Sequence, residues 1–379
     1  MNRKEKKIVL AAIDEPTLEA YGQWPLPRET WVRFLNKLEK FNPKVVAFDV
    51  FFVEPEKWCK GESELSPEKN FAKAIEKFQA SGDRKVILPY SLNIYLFGEY
   101  ITDREFKEIP EELYEFMLSS NISEGNSLKK MSVSKNAWPH PDLLSSMPGL
   151  SHIEATEDSD GIYRHYFMVG NVDDLYFPSF GLQAYQMYSE DSPQLIRNNI
   201  GEAILKFKDG EMKLNQLGQT KVRWAGGYEA FPQVSIKDIL EAPEDDPVMR
   251  EILENNILFI GSTAYGAHDL RHTPIDPQLP GIYLHMNVVS MLLDGNFFKS
   301  IEDSTLISWW ILMAGTLLMI ITQLLGRPLL DISLVCILAL GIYFADIYYL
   351  TPQGFEIKLF FCLLSIISCY SWNTFLNFH

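Results

Sequence analysis

Residues 8–52 read IVLAAIDEPTLEAYGQWPLPRETWVRFLNKLEKFNPKVVAFDVFF, and this stretch indicates the fold of the N-terminal part of the chain. Two short apolar runs, Lys7–Ile13 and Val45–Phe52, lack the alternation of a half-exposed strand and therefore fit strands covered on both faces. Between them, Arg28–Phe41 repeats its apolar side chains at helical spacing. A strand, a helix and a second strand in this order predict a parallel βαβ unit.

The same pattern continues through the rest of residues 1–300, which we call the head. Lys85–Pro89 and Ile257–Ile260 are further buried-strand runs. Amphipathic helices are predicted at Lys69–Phe78, Phe180–Tyr188 and His285–Leu293. Asp209-Gly210 predicts a hairpin in a small antiparallel extension, and the polar residues 95–135 indicate an insertion or long loop. We therefore predict an α/β fold with a mainly parallel sheet, flanked by helices and carrying an antiparallel extension.

Three apolar segments follow the head and predict three C-terminal transmembrane helices in a membrane domain, 306–378. The segments are residues 306–325, 332–350 and 359–378. They contain a single charged residue, Asp346. Each segment meets or nearly meets the ~20 apolar residues that a bilayer crossing needs. Asp346 lies near the end of its segment, where a charge costs less than at mid-bilayer, so we expect it at the interface.

Loop charges give a nearly balanced prediction of orientation. Arg327, between the first two segments, favours a cytoplasmic first link, whereas Lys358 in the next link favours the opposite. If Arg327 is cytoplasmic, the head lies outside and the C-terminus inside.

Composition excludes some classes of function. The net charge of −16 argues against a nucleic-acid partner, because phosphate binding needs clustered Lys and Arg. Cys59 is the single cysteine of the head, so no disulfide can form within it, and no metal-type cysteine spacing is present. We predict no cofactor and no metal.

Four ordered blocks resemble the extracytoplasmic CHASE domain of type 2. The blocks are Gly22-x-Trp24-Pro25-x-Pro27-Arg28 with Phe48-Asp49-Val50-x-Phe52, then Gly149-Leu150-Ser151-His152, then Asp158-x-Asp160-Gly161-x-x-Arg164, and finally Phe259-Ile260-Gly261-Ser262-Thr263 with Asp269, Thr273-Pro274 and Pro280-Gly281-x-x-x-His285-x-Asn287. Three spans directly after the domain are also typical of this family. The resemblance covers about residues 8–375.

The resemblance implies a sensory head on bacterial adenylate or guanylate cyclases, histidine kinases or serine/threonine kinases. It implies a multi-pass protein of the bacterial inner membrane, in contact with the lipid bilayer, with a periplasmic head, a cytoplasmic C-terminus and homodimerisation. Its expected partners are a small extracytoplasmic ligand or periplasmic protein, and a cytoplasmic cyclase or kinase effector. Because the family also has a span before the head and an effector after the third span, we expect this sequence to be a fragment.

Candidate ligand-binding residues lie where predicted strands end. Six polar residues follow three buried strands: Asp14, Glu15, Asp49, Glu54, Ser262 and Thr263. Ligands of open α/β sheets bind outside the carboxyl ends of the strands. The six residues are therefore expected to line one crevice. For the acids the alternative is structural, since such residues also cap helices and bond to loop backbone. The turn after residue 260 could be a plain backbone turn, or its exposed amides could bind an anion.

Five further candidates each have a structural alternative. Arg28 could grip an anionic ligand or form an ion pair. Asp160 and Arg164 could contact ligand, or Gly161 could form a tight turn from which Arg164 reaches back to a carboxylate. Asp269 and His285, with two other histidines, match no standard metal set, and His285 could equally be a satisfied buried histidine.

We therefore predict a sensor rather than an enzyme. Two other classes stay open: an extracytoplasmic enzyme that uses Asp14 and Asp49 as its carboxylates, and a structural or assembly protein that binds a partner within the membrane.

Overall fold

The computed structural model describes residues 7–57, 65–80, 82–94, 109, 111–122, 128–133, 138–198, 201–264, 269–298, 301–324 and 328–355, with isolated helical positions at 364, 367, 368 and 371. The chain divides into two compact units, Met1–Gly295 and Asn296–His379.

The first unit contains the strands and most of the helices. The strands are β1 (Ile8–Ile13), β2 (Val45–Phe48), β3 (Lys85–Tyr90), β4 (Leu92–Ile94), β5 (Met131–Val133), β6 (Gly149–His152), β7 (His165–Phe167), β8 (Val169–Val172), β9 (Leu175–Pro178), β10 (Gln194–Arg197), β11 (Ala203–Phe207), β12 (Gly210–Leu214), β13 (Gln219–Lys221), β14 (Gln233–Ser235), β15 (Ile257–Ser262), β16 (Leu270–Arg271) and β17 (Leu279–Pro280). The α-helices are α1 (Glu15–Tyr21), α2 (Arg28–Phe41), α3 (Pro67–Ala80), α4 (Pro141–Leu144), α5 (Phe180–Ser189), α6 (Ile236–Glu241), α7 (Pro247–Leu253) and α8 (Ile282–Leu293).

A six-stranded parallel sheet forms the centre, in the order β14-β1-β15-β2-β3-β6. The four apolar runs of the sequence supply β1, β2, β3 and β15, so the predicted parallel sheet is confirmed. The run predicted at 45–52 ends as a strand at Phe48, because the chain leaves the sheet at Asp49. The two edge strands, β14 and β6, are too short and too polar to give a sequence signal of their own.

Helices cover both faces of the sheet, which explains why the strands are apolar without alternation. Val9, Ala11 and Ile13 of β1 face a core shared with α2, α3, α6 and α7. Ile8 and Leu10 face the opposite core, which α5 and α8 supply. A three-layer α/β/α arrangement follows, as the βαβ pattern predicts.

Helix α2 has the bounds predicted from the sequence, Arg28–Phe41. Pro27 precedes it, and Asn42 ends it in a left-handed conformation with φ 53°. The amide of Asn42 donates to the carbonyl of Leu38 at 2.8 Å. This arrangement is a common way to satisfy the last carbonyls of a helix.

Aromatic packing fixes the loop that leaves β2. The ring of Trp31 lies edge-on to Phe48 and Phe52, with centroids 5.4 and 6.1 Å apart, and Phe71 packs against the same two phenylalanines. Such pairs contribute about 0.5–1.5 kcal/mol each beyond the area that they bury. Because Phe48 and Phe52 bracket Asp49, this cluster sets the position of that carboxylate.

The antiparallel parts are small and lie outside the central sheet. Strands β11 and β12 pair across Asp209-Gly210, which confirms the predicted hairpin, and β10 adds a third strand. Strands β4 and β5 pair at the two ends of the polar region predicted as an insertion. A 3-10 helix, Glu111–Phe116, lies within that region, and much of the rest is outside the described residues.

The second unit contains α9 (Ile301–Leu324) and α10 (Pro328–Ala345). A π-helical turn, Asp346–Leu350, and a 3-10 turn, Thr351–Gln353, continue α10. Among the described residues, one helix is long and apolar enough to cross a membrane, Val335–Gln353, and none of it is buried within the chain.

The prediction of three membrane helices is therefore supported for one. Helix α9 begins with Glu302 and Asp303, and its apolar part within the described residues, Thr305–Leu317, is shorter than a membrane span. The third predicted span, 359–378, lies almost entirely outside the described residues. At the end of the candidate span, Thr351 donates its hydroxyl to Asp346 at 3.1 Å.

Candidate functional site

A cleft of about 370 Å³ opens at the carboxyl ends of β1 and β15. It is lined by Asp14, Glu15, Pro16, Tyr228, Gln233, Ser262, Thr263, Ala264, Asp269, Leu270, Gln278 and Pro280. Four of the residues expected at a strand-end crevice therefore share one cleft, Asp14, Glu15, Ser262 and Thr263, and the separate candidate Asp269 lies in the same cleft. The volume is within the range of small-molecule sites.

Asp14 both lines the cleft and caps α1. Its Oδ1 accepts from the Thr17 amide at 3.1 Å, the Thr17 hydroxyl at 2.6 Å and the Ser235 hydroxyl at 2.9 Å. No described residue donates to its Oδ2. One carboxylate oxygen, Oδ1, therefore accepts all three of these structural hydrogen bonds. Glu15, the next residue, is an exposed first residue of α1.

The turn after β15 is built from backbone hydrogen bonds to β1. The carbonyl of Ile13 accepts from the amides of Thr263 and Ala264 at 3.1 and 3.2 Å, and from the Ser262 hydroxyl at 3.4 Å. These two amides point to the neighbouring strand. They are consequently not available to bind an anion, which was one of the two predictions for this turn.

Asp269 is held against the start of α8. Its carbonyl accepts the amide of Gly281 at 2.8 Å, and its Oδ1 lies 2.5 Å from the Arg271 guanidinium. A β-carbon at Gly281 would collide with the Asp269 carboxylate, so the close approach requires glycine. Arg271 also donates to the Tyr163 hydroxyl at 2.7 Å. Burial lowers the pKa of Arg271, but Asp269 and Tyr163 more than offset this and raise it.

Asp49 lies beside the cleft without lining it. Its amide donates to the Ile260 carbonyl at 2.8 Å, but its carboxylate makes no hydrogen bond to a described residue. Burial and the nearby charge of Asp269 raise the pKa of Asp49 to about 7, and Arg271 opposes the shift. The positive charge of the Arg271 guanidinium thus acts on two carboxylates, Asp49 and Asp269.

His285 is in the core rather than in the cleft. Its Nδ1 lies 2.7 Å from the Tyr166 hydroxyl, which also accepts the amide of Gly181 at 3.0 Å. The ring packs edge-on against Phe180 and Tyr166. Burial, with smaller effects from Arg271 and His152, lowers the pKa of His285 to about 3, so the ring is neutral. The satisfied buried histidine is therefore the reading that the geometry favours.

Arg28 is also buried apart from the cleft. Its guanidinium donates to the Glu54 carbonyl at 3.0 Å, lies 3.9 Å from a Glu68 oxygen and stacks 4.9 Å from the centroid of the Phe52 ring. Burial lowers its pKa, against the charges of Glu68 and Glu56. Arg28 thus pairs with Glu68 on α3 and not with the acids at the ends of the strands.

Asp160 and Arg164 belong to an exposed turn. Arg164 pairs with Asp158 at 3.1 Å and with Asp160 at 2.9 Å, and Gly161 has φ 80°. Hydrogen bonding to Arg164 lowers the pKa of Asp160. The tight turn, with Arg164 reaching back to carboxylates, is the arrangement found, and it lies outside the cleft.

The described residues contain no group of three or more His, Cys, Asp or Glu side chains placed to hold a metal ion. His268, weighed as a metal ligand with His272 and His285, lies outside the described residues.

Sequence reasoning missed several residues of the site. Tyr228, Gln233 and Gln278 line the cleft from segments outside β1 and β15. Arg271 pairs with the predicted Asp269 but was not singled out. Its position two residues after an acid, in a stretch that pairs as β16 with β17, is the signal that could have identified it.

A family model described as the CHASE2 domain matches residues 1–327, which is more than half of the chain. CHASE2 domains are extracellular sensory domains. No curated protein and no solved structure is detectably similar to this chain.

Proposed function

This chain belongs to the CHASE2 domain family, and from that premise we propose that it is the sensory input module of a membrane-attached signalling protein. The cleft at the carboxyl ends of β1 and β15 receives a ligand. The bound state favours one of two arrangements of the protein, and the membrane helices pass that preference on.

Two facts together support the proposal. The chain belongs to a sensory family, and it has an open cleft at the sheet edge where α/β folds bind ligands. The cleft is lined by hydroxyls, amides and carboxylates, which can select a ligand by hydrogen bonds. Among the described residues, no metal cluster competes with this reading.

The proposed topology places the first unit outside the cytoplasm and the C-terminus inside, with three spans. Helix Val335–Gln353 supports a membrane location, because it is apolar, long enough to cross a bilayer and not buried within the described chain. The family supports this orientation, because CHASE2 domains are extracellular. The loop charges do not decide it, since Arg327 favours a cytoplasmic first link and Lys358 favours the opposite.

The proposed partner is a cytoplasmic nucleotide cyclase or kinase, and the proposed assembly is a homodimer. Both follow from the kinds of signalling protein that carry such domains. A dimer gives the ligand a simple means of action, since binding shifts how two copies are arranged.

A reporter fusion tests this function. The chain is preceded by a signal anchor, and a cyclase is fused after His379. We expect Glu15→Gln and Thr263→Val to change cyclase output at equal protein level. The control is Glu251→Gln, an exposed carboxylate on α7. Output that is the same for the parent and both cleft variants contradicts the proposal.

A second candidate, an extracytoplasmic acid–base enzyme, is favoured by one observation. The pKa of Asp49 is raised to about 7, and such a carboxyl group can exchange protons at neutral pH. Hydrolysis of a chromogenic ester or glycoside by the purified chain, abolished in Asp49→Asn, would support this class. Asp14 is a weaker catalytic candidate because its Oδ1 is already occupied by three donors.

A further inference from the structure

Helix α8 runs from the cleft to the end of the first unit. Its N-terminal end borders the cleft, because Pro280 lines the cleft and the Gly281 amide donates to the carbonyl of Asp269 at 2.8 Å. Its C-terminal end, Leu293, closes the last helix of the first unit, and the next helix along the chain is α9 of the second unit. A change at the cleft end of α8 therefore has a direct covalent route toward the second unit.

One face of α8 holds the segment that carries Tyr228 into the cleft, residues 223–228, which we call the cleft loop. Tyr283, Asn287 and Met291 are spaced four residues apart, so their side chains share this face of the helix. The Tyr283 ring packs against Tyr228 with centroids 5.2 Å apart, and Sδ of Met291 accepts the first amide of the loop at 3.4 Å. The cleft loop therefore follows α8 from near its C-terminal end to the end that borders the cleft.

Asn287 ties the backbone of the cleft loop to α8, and its side chain is fully buried. Its Oδ1 accepts the amides of Ala225 and Gly226 at 2.7 and 3.2 Å. Its Nδ2 donates to the carbonyls of Gly226 and Tyr283 at 3.0 and 2.8 Å. An asparagine side chain has two donor hydrogens and two acceptor sites, so all of them are used here. The loop backbone cannot shift alone without leaving buried polar groups unpaired, and it is therefore expected to move together with α8.

Other parts of the cleft are also joined to α8. The Tyr283 hydroxyl donates to Oε1 of Gln233, a residue that lines the cleft, at 3.0 Å. A β-carbon at Gly261 would lie 2.8 Å from two carbon atoms of Ile282, so the first turn of α8 rests directly on β15. A ligand that changes the position of either cleft wall therefore acts on this helix.

Strand β1 is a less suitable route out of the cleft. Asp14, directly after it, also lines the cleft, but β1 is paired on both sides, with β14 and with β15. A strand held in this way cannot move without its neighbours. Packed helices, by contrast, slide past their neighbours in many conformational switches.

We propose that α8 carries the state of the cleft toward the membrane helices, and that Asn287 is the positioning residue that couples the cleft loop to it. This inference rests on the proposed sensory function and adds the route by which the site is read out. A ligand that displaces Tyr228 shifts α8 through Asn287, and α8 passes the shift along the chain into α9.

A double-substitution experiment in the cyclase fusion tests the coupling. The measured quantity is the fold-change in cyclase output that Thr263→Val causes, first in the parent and then in Asn287→Ala, at equal protein level. We expect the response in Asn287→Ala to fall to roughly a fifth of the parental response or less, since couplings between sites are commonly about 5–150-fold.

Asn171→Ala is the matched control for the loss of a buried amide. Asn171 is fully buried on β8, outside the cleft, and its side chain also bonds to backbone. Its Nδ2 donates to the carbonyl of Leu128 at 2.6 Å, and its Oδ1 accepts the amide of Asp174 at 2.9 Å. We expect this variant to lose stability as Asn287→Ala does, but to keep the full response to Thr263→Val.

An insertion tests the route without changing the packing of α8. Gly-Ser inserted after the exposed Gly295 lengthens the connection between α8 and α9, and it is expected to abolish the response to Thr263→Val. The same insertion in the hairpin turn Asp209-Gly210 is the control and should leave the response unchanged. If Asn287→Ala does not accumulate, this pair of insertions decides the outcome.

The inference is overturned if Asn287→Ala or the insertion after Gly295 keeps the parental response, or if the two controls lose it as well. The sensory function then still stands, because Thr263→Val changes the output of the parent. If Thr263→Val and Glu15→Gln both leave the parental output unchanged, the proposed function is wrong and the coupling through α8 is refuted with it.

Discussion

Asp49→Asn is expected to stabilise the protein above neutral pH, the opposite of what loss of a partly buried ionic side chain usually does. The reason is that the Asp49 carboxylate lies beside Asp269 without a hydrogen bond from a described residue. Its charge is a cost in the folded state, and asparagine removes that charge with almost no change of volume.

The magnitude follows from the pKa of Asp49, which is raised from 3.8 to about 7. A carboxyl group with a raised folded-state pKa binds its proton more tightly when folded. The stability that it contributes is therefore present at low pH, declines from about pH 4, and is fully lost above about pH 7. With about 1.4 kcal/mol for each pKa unit, the cost of the charge at pH 8 is at most about 4 kcal/mol.

Urea unfolding measures this effect, with the fluorescence of Trp31 and the other tryptophans as the signal. We expect Asp49→Asn to gain about 1–4 kcal/mol at pH 8 and almost nothing at pH 4, in keeping with the pKa shift. Asp245→Asn, an exposed acid before α7, is the control and should change little at either pH. A loss of stability at pH 8 in Asp49→Asn refutes the reasoning, since it would mean that the charge is well paired.

Substitutions at three further positions are tested by the same unfolding measurement. Asp14→Ala should lower the free energy of unfolding by about 2–4 kcal/mol, because the cap and two further hydrogen bonds to Oδ1 are lost. Asp14→Asn should lower it by less than about 1 kcal/mol. Equal losses for the two variants would contradict the capping role. Gly281→Ala should cost about 1–3 kcal/mol, because the added methyl group displaces the Asp269 carboxylate, and an unchanged midpoint would show that this contact is loose. Arg164→Ala should leave the unfolding midpoint almost unchanged, since its ion pairs lie at the solvent-exposed surface, and a clear loss of stability would show that the turn is needed for the fold.

The central sheet could be predicted from the sequence because its strands are buried on both faces. Continuous apolar runs such as Ile8–Ile13 and Ile257–Ser262 leave few other structures open. Helix α2 was equally clear, since Pro27 and Asn42 mark its ends. The family match to residues 1–327 confirms the domain that the four sequence blocks resemble, but it does not confirm the three spans expected after that domain.

The candidate site could be predicted only in part, because it depends on tertiary contacts. The strand-end rule correctly grouped Asp14, Ser262 and Thr263, which adjacent parallel strands bring together. The same rule placed Asp49 in the crevice, whereas the aromatic cluster around Phe48 and Phe52 holds it beside the cleft. The charge of Arg271 acts on Asp49 across two elements that are far apart in the sequence, so this effect depends on the tertiary structure.

Several residues chosen from sequence motifs alone do not line the cleft. His285 and Arg28 are buried among aromatic side chains, where their partners are Tyr166 and Glu68. Arg164 is fixed by an exposed turn. In each case a polar residue within a motif has a structural partner that the sequence does not reveal, because the partner comes from another element.

The most direct test of the sensory claim is to fill the cleft from outside the cell. In the reporter fusion, with Cys59 replaced by Ser, Ser262→Cys is treated with a bulky, membrane-impermeant maleimide, and Glu251→Cys is the matched control. Ser262 lines the cleft, whereas Glu251 is exposed on α7. The account predicts that both sites are labelled and that labelling changes cyclase output only for Ser262→Cys. Unchanged output after complete labelling of Ser262→Cys would contradict it.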